Sequence, residues 1–319
     1  MRFSTAHGAG MRCSTARSEI TRHASRVLRI VVAVLASSLA ACGSGGNSTP
    51  SNAVLSDVAF GGGTFVAVGK EGKILTSADG KSWTDRASNV TDTLNAAVYG
   101  ANLFVVAGDR GMLLTSVDGA SWQVESSTAS ASLQGVAYGD GTFVVVGYEG
   151  TIATSTDGHR WVLQASPSST ALHAVTHGEG RFVAVGDAGR VLTSTDAAVW
   201  SSVDSGTTDT LYTVQFGAGV YVLAGGNGTL GRSNDGRSWA TGRNPFSTLF
   251  DVVYEQGEFV VVGATGTILA SPDGASFTQR NSPASNDLRG VAFGGGTFVA
   301  VGTDNVVLTS PDAETWTRQ

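Results

Sequence analysis

The sequence predicts an all-β protein, a seven-bladed β-propeller of four-stranded antiparallel blades, and three observations carry that expectation. A Ser-x-Asp whose aspartate stands four residues before a Trp or Phe occurs seven times, anchored at Asp79, Asp118, Asp157, Asp196, Asp235, Asp273 and Asp312. All six tryptophans occupy this box, and Phe277 takes the seventh place. Around each box lies a longer unit, L-x-x-V-x-[FY]-G-x-G-x-F-V-x-V-G-x-x-G-x-I-x-x-S-x-D-G-x-x-W. It opens at Leu55, Leu94, Leu133, Leu172, Leu211, Leu249 and Leu288, a period of 39 residues broken once by 38. A fixed period of this length marks a repeat architecture. The composition agrees: 43 glycines and only 14% charged residues in 319 point to ordered β-structure, not disorder.

The third unit shows how each blade is expected to form. Leu133, Val136 and Tyr138 mark a short first strand, and Gly139-Asp140-Gly141 a tight turn. Phe143 to Val146 is an apolar run suited to a strand buried on both faces. Gly147-Tyr148-Glu149-Gly150 is the second turn and Thr151 to Ser155 the third strand. Asp157-Gly158 makes the third turn, Trp161 to Leu163 the fourth strand, and Ala165 to Ala171 the connection onward. One such sheet cannot cover both its faces, whereas radial stacking of seven does so and leaves little open edge. Blade seven keeps only three residues after Trp316, so residues 47–54 are expected beside its last strand, closing the ring.

The Ser-x-Asp box reads as a fold device. The Asp79 carboxylate and the Ser77 hydroxyl can accept N–H groups of their own turn. Gly80 permits a left-handed backbone there, and Trp83 brings a large apolar ring to the blade interface. The seven aspartates lie on seven different blades, which opposes a shared metal or catalytic role. Ala197 and Ala313 replace the box glycine, so their turns are expected to be strained or of another type.

These units resemble the Asp-box (BNR) propellers over residues 55–319. In sialidases and other hydrolases of that group the box is S-x-D-x-G-x-x-W, one residue longer than here. The form found here looks closer to exported bacterial propellers similar to photosystem II assembly factors. The sialidase resemblance would imply an arginine triad, a Tyr–Glu pair and an acidic proton donor. The Arg-Ile-Pro tripeptide that usually opens the triad is absent; Arg243-Asn244-Pro245 is the nearest. No non-repeated Asp/Glu pair of the kind glycoside hydrolysis needs stands out. No P-loop, nucleophile elbow or zinc motif occurs, so neither catalytic residue, metal nor cofactor is expected.

Residues 1–41 read as an export signal, with a basic start (Arg2, Arg12, Arg17, Arg22, Arg26, Arg29) and an uncharged stretch from Ile30 to Ala41. Met1 and Met11 are both compatible with its beginning. Leu39-Ala40-Ala41-Cys42-Gly43 resembles the bacterial lipobox, which implies cleavage before Cys42 and lipid on that residue. Cys13 leaves with the signal, so the remaining chain has one cysteine and no internal disulfide. Residues 42–54 then serve as lipidated cysteine and flexible tether. Gly43 after the cysteine, by the same resemblance, implies the outer membrane. Without the signal 14 Lys+Arg stand against 25 Asp+Glu, a net of −11, which disfavours nucleic acid as a partner.

The candidate binding residues emerge where the repeats disagree. After each opening leucine stand Ser56, Asn95, Gln134, His173, Tyr212, Phe250 and Arg289, at the start of each inner strand and hence around the channel mouth. The second turns vary too, placing Arg110 and Tyr148 on the same face, opposite the Asp boxes. Tyr, Phe, Arg, His, Asn and Gln are side chains that anchor ligands. His173 and His177 cannot share one ion, because four residues along a strand span about 13 Å. His177 stands where most blades carry Tyr or Phe and reads as packing. The expectation is a monomeric, membrane-anchored, non-enzymatic scaffold for a protein or glycan partner. The alternatives are a sialidase-like hydrolase or lyase, and a lectin; seven matched sugar pockets would need mouth residues that match.

Overall fold

A computed structural model describes residues 54–319. The expectations for residues 1–41, for lipidated Cys42 and for the tether up to residue 53 lie outside the described residues. The described chain forms seven four-stranded antiparallel sheets, each from four strands consecutive in sequence. Blade one comprises Leu55–Gly61, Thr64–Gly69, Ile74–Ser77 and Thr84–Arg86. Blade three follows the expected pattern, with strands Leu133–Gly139, Thr142–Gly147, Ile152–Ser155 and Val162–Leu163.

Each second strand is buried from its second residue onward, as Val144, Val145 and Val146 illustrate. Seven apolar clusters fill the gaps between adjacent blades; one joins Val144 and Ile152 of blade three to Leu172, Leu192 and Trp200 of blade four. The seventh gap is closed in the same way, by Ala292, Val299 and Val307 against Leu55, Val58 and Phe65. Blade seven has its own fourth strand, Thr317–Arg318, as long as that of blade three. Val54 pairs within blade one, its carbonyl accepting the Lys70 N–H at 3.0 Å. The described residues thus close the ring by blade-to-blade packing, while residues 47–53, expected beside the last strand, lie outside the described residues.

The boxes form the turns between third and fourth strands. Asp79 Oδ1 accepts the N–H groups of Lys81 and Ser82, both at 2.9 Å, and Ser77 Oγ accepts that of Gly80 at 2.8 Å. Those backbone donors hold the Asp79 carboxyl below its ordinary range, and the same pattern lowers Asp157 to about 2. Trp83 Nε1 donates to the Gly80 carbonyl at 3.0 Å, closing the turn. Ala197 and Ala313 sit at φ 60° and 59°, beside 72° at Gly80, so their turns are of the same type and carry the strain of a side chain there.

Blade five departs from the repeat in its volume distribution. Gly231 occupies the third-strand place held by Leu in most blades, and Leu223 on the neighbouring strand is enlarged from the Ala or Val found elsewhere. A Cβ on Gly231 would lie 2.8 Å from the Leu223 side chain, so the two changes compensate within one layer.

Candidate functional site

Antiparallel order fixes two faces. Inner strands begin, second strands end and inter-blade connections run on one face; the Asp boxes lie on the other. Along the axis runs a cavity of about 520 Å³ lined by all seven inner strands.

The seven variable residues share one backbone feature. In every inner strand the pairing skips the residue after the leucine: Leu55 pairs Gly69 and Asp57 pairs Val68, leaving Ser56 unpaired. The same irregularity isolates Asn95, Gln134, His173, Tyr212, Phe250 and Arg289. A bulge re-aims its residue away from the pleat, and all seven side chains are half-buried at the cavity mouth.

Around that ring the mouth divides in two. On blades two and three it is an amide network. Asn95 Nδ2 donates to Asp109 Oδ1 at 3.0 Å and to the Leu133 carbonyl at 2.9 Å, while Gln134 Nε2 donates to Ser132 Oγ at 2.7 Å. Arg110, at the tip of the blade-two turn, pairs with Asp92. From blade three to blade seven the mouth is a chain of rings. Tyr148 meets His173 edge-on at 6.4 Å between centroids, His173 meets Tyr212 at 5.4 Å, and Tyr212 meets Phe250 at 5.7 Å. Arg289 ends the arc with its guanidinium 4.0 Å over the Phe250 ring, held also by Asp287 Oδ2 at 2.9 Å.

The two histidines lie apart. His173 Nε2 is 2.8 Å from Asp187 Oδ1 at the mouth, and His177 Nε2 is 3.1 Å from Asp140 Oδ2 at the other end of the strand. The His177 ring packs at a 56° tilt against Phe182, 4.5 Å between centroids, and covers Gly139, where a Cβ would come within 2.1 Å of it. Tyr99 and Tyr138 occupy the same place over Gly61 and Gly100. Arg243 is engaged by Asp209, its Nε and Nη2 each donating at 2.7 Å. That guanidinium, with Thr229 and Asn227, holds the Asp209 carboxyl well below its ordinary range.

Sequence reasoning missed one pair. Asp57 and Asp251 occupy equivalent inner-strand positions on blades one and six, and both line the axial cavity. Asp57 accepts the N–H groups of Val58 at 2.7 Å and, across the blade gap, Ala97 at 2.8 Å. Asp251 likewise takes Val252 and Val291 N–H, each at 2.8 Å, and the Thr213 hydroxyl at 3.1 Å. Desolvation and then the Asp251 charge push Asp57 well above the ordinary carboxylate range; desolvation lifts Asp251 to about 6. Each carboxylate staples its blade to the next, and every carboxylate oxygen already accepts a backbone N–H. The signal was present in the repeat column Asp57, Ala96, Gly135, Ala174, Thr213, Asp251 and Gly290, where two acids interrupt small residues.

Among the described residues no group of three or more His, Cys, Asp or Glu side chains converges on one point.

A family model described as the DUF6242 beta propeller domain matches residues 42–133, which include the first two blades. No curated protein matches the chain in sequence. Among solved structures, YCF48 bound to a D1 peptide is similar at 18% identity and TM-score 0.67, covering 82% of this chain and 92% of the other. YCF48 from Cyanidioschyzon merolae gives 19% identity and TM-score 0.64, covering 82% and 96%. The WD40 beta propeller domain of Doa1 gives 15% and 0.67, covering 82% and 94%. At these identities the likeness is one of fold.

Proposed function

We propose that this protein is a non-enzymatic docking propeller, tethered by lipid on Cys42 to the bacterial envelope, that holds a protein segment across its mouth. The observation that carries the reading is the unbroken arc Tyr148–His173–Tyr212–Phe250–Arg289, assembled from bulge residues of four blades and one turn. Rings and an arginine clustered at a concave centre are the side chains that dominate protein-recognition energetics. Asn95, Gln134 and Arg110 supply a polar rim facing the arc. A propeller of similar fold has been captured with a peptide bound, which favours a protein partner over a glycan. The lipobox-like Leu39-Ala40-Ala41-Cys42 and the polar tether support export and anchoring, with Gly43 favouring the outer membrane.

The test is affinity capture from envelope extracts with the wild type and with Tyr212→Ala/Phe250→Ala/Arg289→Ala, each first shown to be folded. A specific protein retained by the wild type and lost by the variant supports the reading. Equal retention by both contradicts it. Metabolic labelling with a radioactive fatty acid tests the anchor; label that persists in Cys42→Ser would contradict it.

A further inference from the structure

The end of the arc on blades three to five is built as a cage. Tyr148, Glu149, Ala171, His173, Asp187 and Tyr212 line a recess of about 480 Å³ on the mouth face. Tyr148 stands nearly perpendicular to His173, at 87°, and Tyr212 is inclined to the same imidazole at 45°. Three rings thus line one space. Two carboxylates, Glu149 and Asp187, border it, and no Lys or Arg lines it. Asp187 can only accept, so His173 donates its Nε2–H to it, which fixes the imidazole orientation.

From this geometry we infer that the recess is a binding site for an organic cation, an alkylammonium or quaternary ammonium group. Ring faces attract such cations through their quadrupole, and walls of rings with a carboxylate at the border are the arrangement that recognises them. The chain supplies its own instance at the far end of the same arc, where Arg289 lies 4.0 Å over Phe250. The recess likewise brings rings together with carboxylates, and no Lys or Arg of the chain lines it. Resting on the docking reading, a lysine side chain of the docked segment is one source of the group; a free quaternary amine is the other.

The experiment is calorimetric titration of the folded chain with choline and with 3,3-dimethylbutan-1-ol, its uncharged isostere. Choline is expected to bind at least about tenfold more tightly than the alcohol. Tyr148→Ala and Asp187→Asn should each erode that preference; the first removes a ring and the second removes charge while leaving an acceptor for His173. Equal binding of the two probes, or a preference unchanged in both variants, overturns the site. A short peptide bearing lysine, compared with one bearing norleucine, separates the sources. Lysine preference identifies a docked segment, and choline discrimination alone identifies a free amine. Choline discrimination with no captured partner would sustain the cage and sink the docking reading. A captured partner without choline discrimination would do the reverse.

Discussion

The guanidinium of Arg289 on blade seven lies 4.0 Å above the ring of Phe250 on blade six, so a cation–π contact bridges the two blades at the channel mouth. Both are bulge residues, released from the strand pairing that constrains their neighbours. A double-mutant cycle with Phe250→Leu and Arg289→Gln should return a coupling of about 0.5–2 kcal/mol in chemical denaturation. A coupling indistinguishable from zero would show that the pair does not hold the arc together.

The Asp57–Asp251 pair predicts a pH dependence. Both carboxyls are raised in the folded state, Asp251 to about 6, by desolvation and, for Asp57, by the other's charge. The native protein therefore binds more protons than the unfolded chain between the ordinary carboxylate value, about 4, and about 6. This contribution to stability is present at the low end of that window and is lost as pH rises through it. The melting temperature of Asp57→Asn/Asp251→Asn should fall less steeply than that of the wild type between pH 4.5 and 7. Parallel curves would refute the assignment.

The box aspartates act with the opposite sign. Backbone N–H donors lower Asp79, Asp118, Asp157, Asp196, Asp235, Asp273 and Asp312, so the stability they contribute is present above the unfolded value and lost as pH falls below it. Acid unfolding monitored by tryptophan fluorescence should begin below about pH 4, and Asp157→Asn should shift its midpoint toward neutral pH.

Box glycines and box alanines should respond differently. A Cβ on Gly80 would sit 2.5 Å from Val299 Cγ2 at φ 72°, so Gly80→Ala should cost roughly 1–3 kcal/mol. Ala197 already holds φ 60° with its methyl buried, so Ala197→Gly trades strain relief for lost packing and should stay within about 1 kcal/mol of wild type. Urea midpoints of the two variants check this contrast.

Phe277 replaces the box tryptophan and cannot donate to its turn. Phe277→Trp offers an indole N–H to the Gly274 carbonyl, the bond that Trp83 makes to Gly80 at 3.0 Å. It should raise stability by about 0.5–1.5 kcal/mol. Trp122→Ala, which empties a buried box site, should lower it by about 3–5 kcal/mol.

The fold was legible because seven copies of one 39-residue unit report the same strands, turns and aromatic plugs. A single copy would have left Phe143–Val146 ambiguous. The mouth residues were visible as the column where the copies disagree, from Ser56 to Arg289. The bulge that aims them was hidden, because a one-residue slip in pairing leaves no mark on composition. The ring-to-ring arc was hidden too: Tyr148 belongs to a turn, and only folding sets it beside His173. Asp57 and Asp251 lie 194 residues apart, and their charges interact only once the ring brings blades one and six around one cavity.

The most direct test of the docking mouth is capture of an envelope protein by the folded wild type and by Tyr212→Ala/Phe250→Ala/Arg289→Ala under identical conditions. Loss of a specific partner, with melting behaviour near that of the wild type, is the predicted result. Undiminished capture by the folded variant would contradict the account and move recognition away from the mouth.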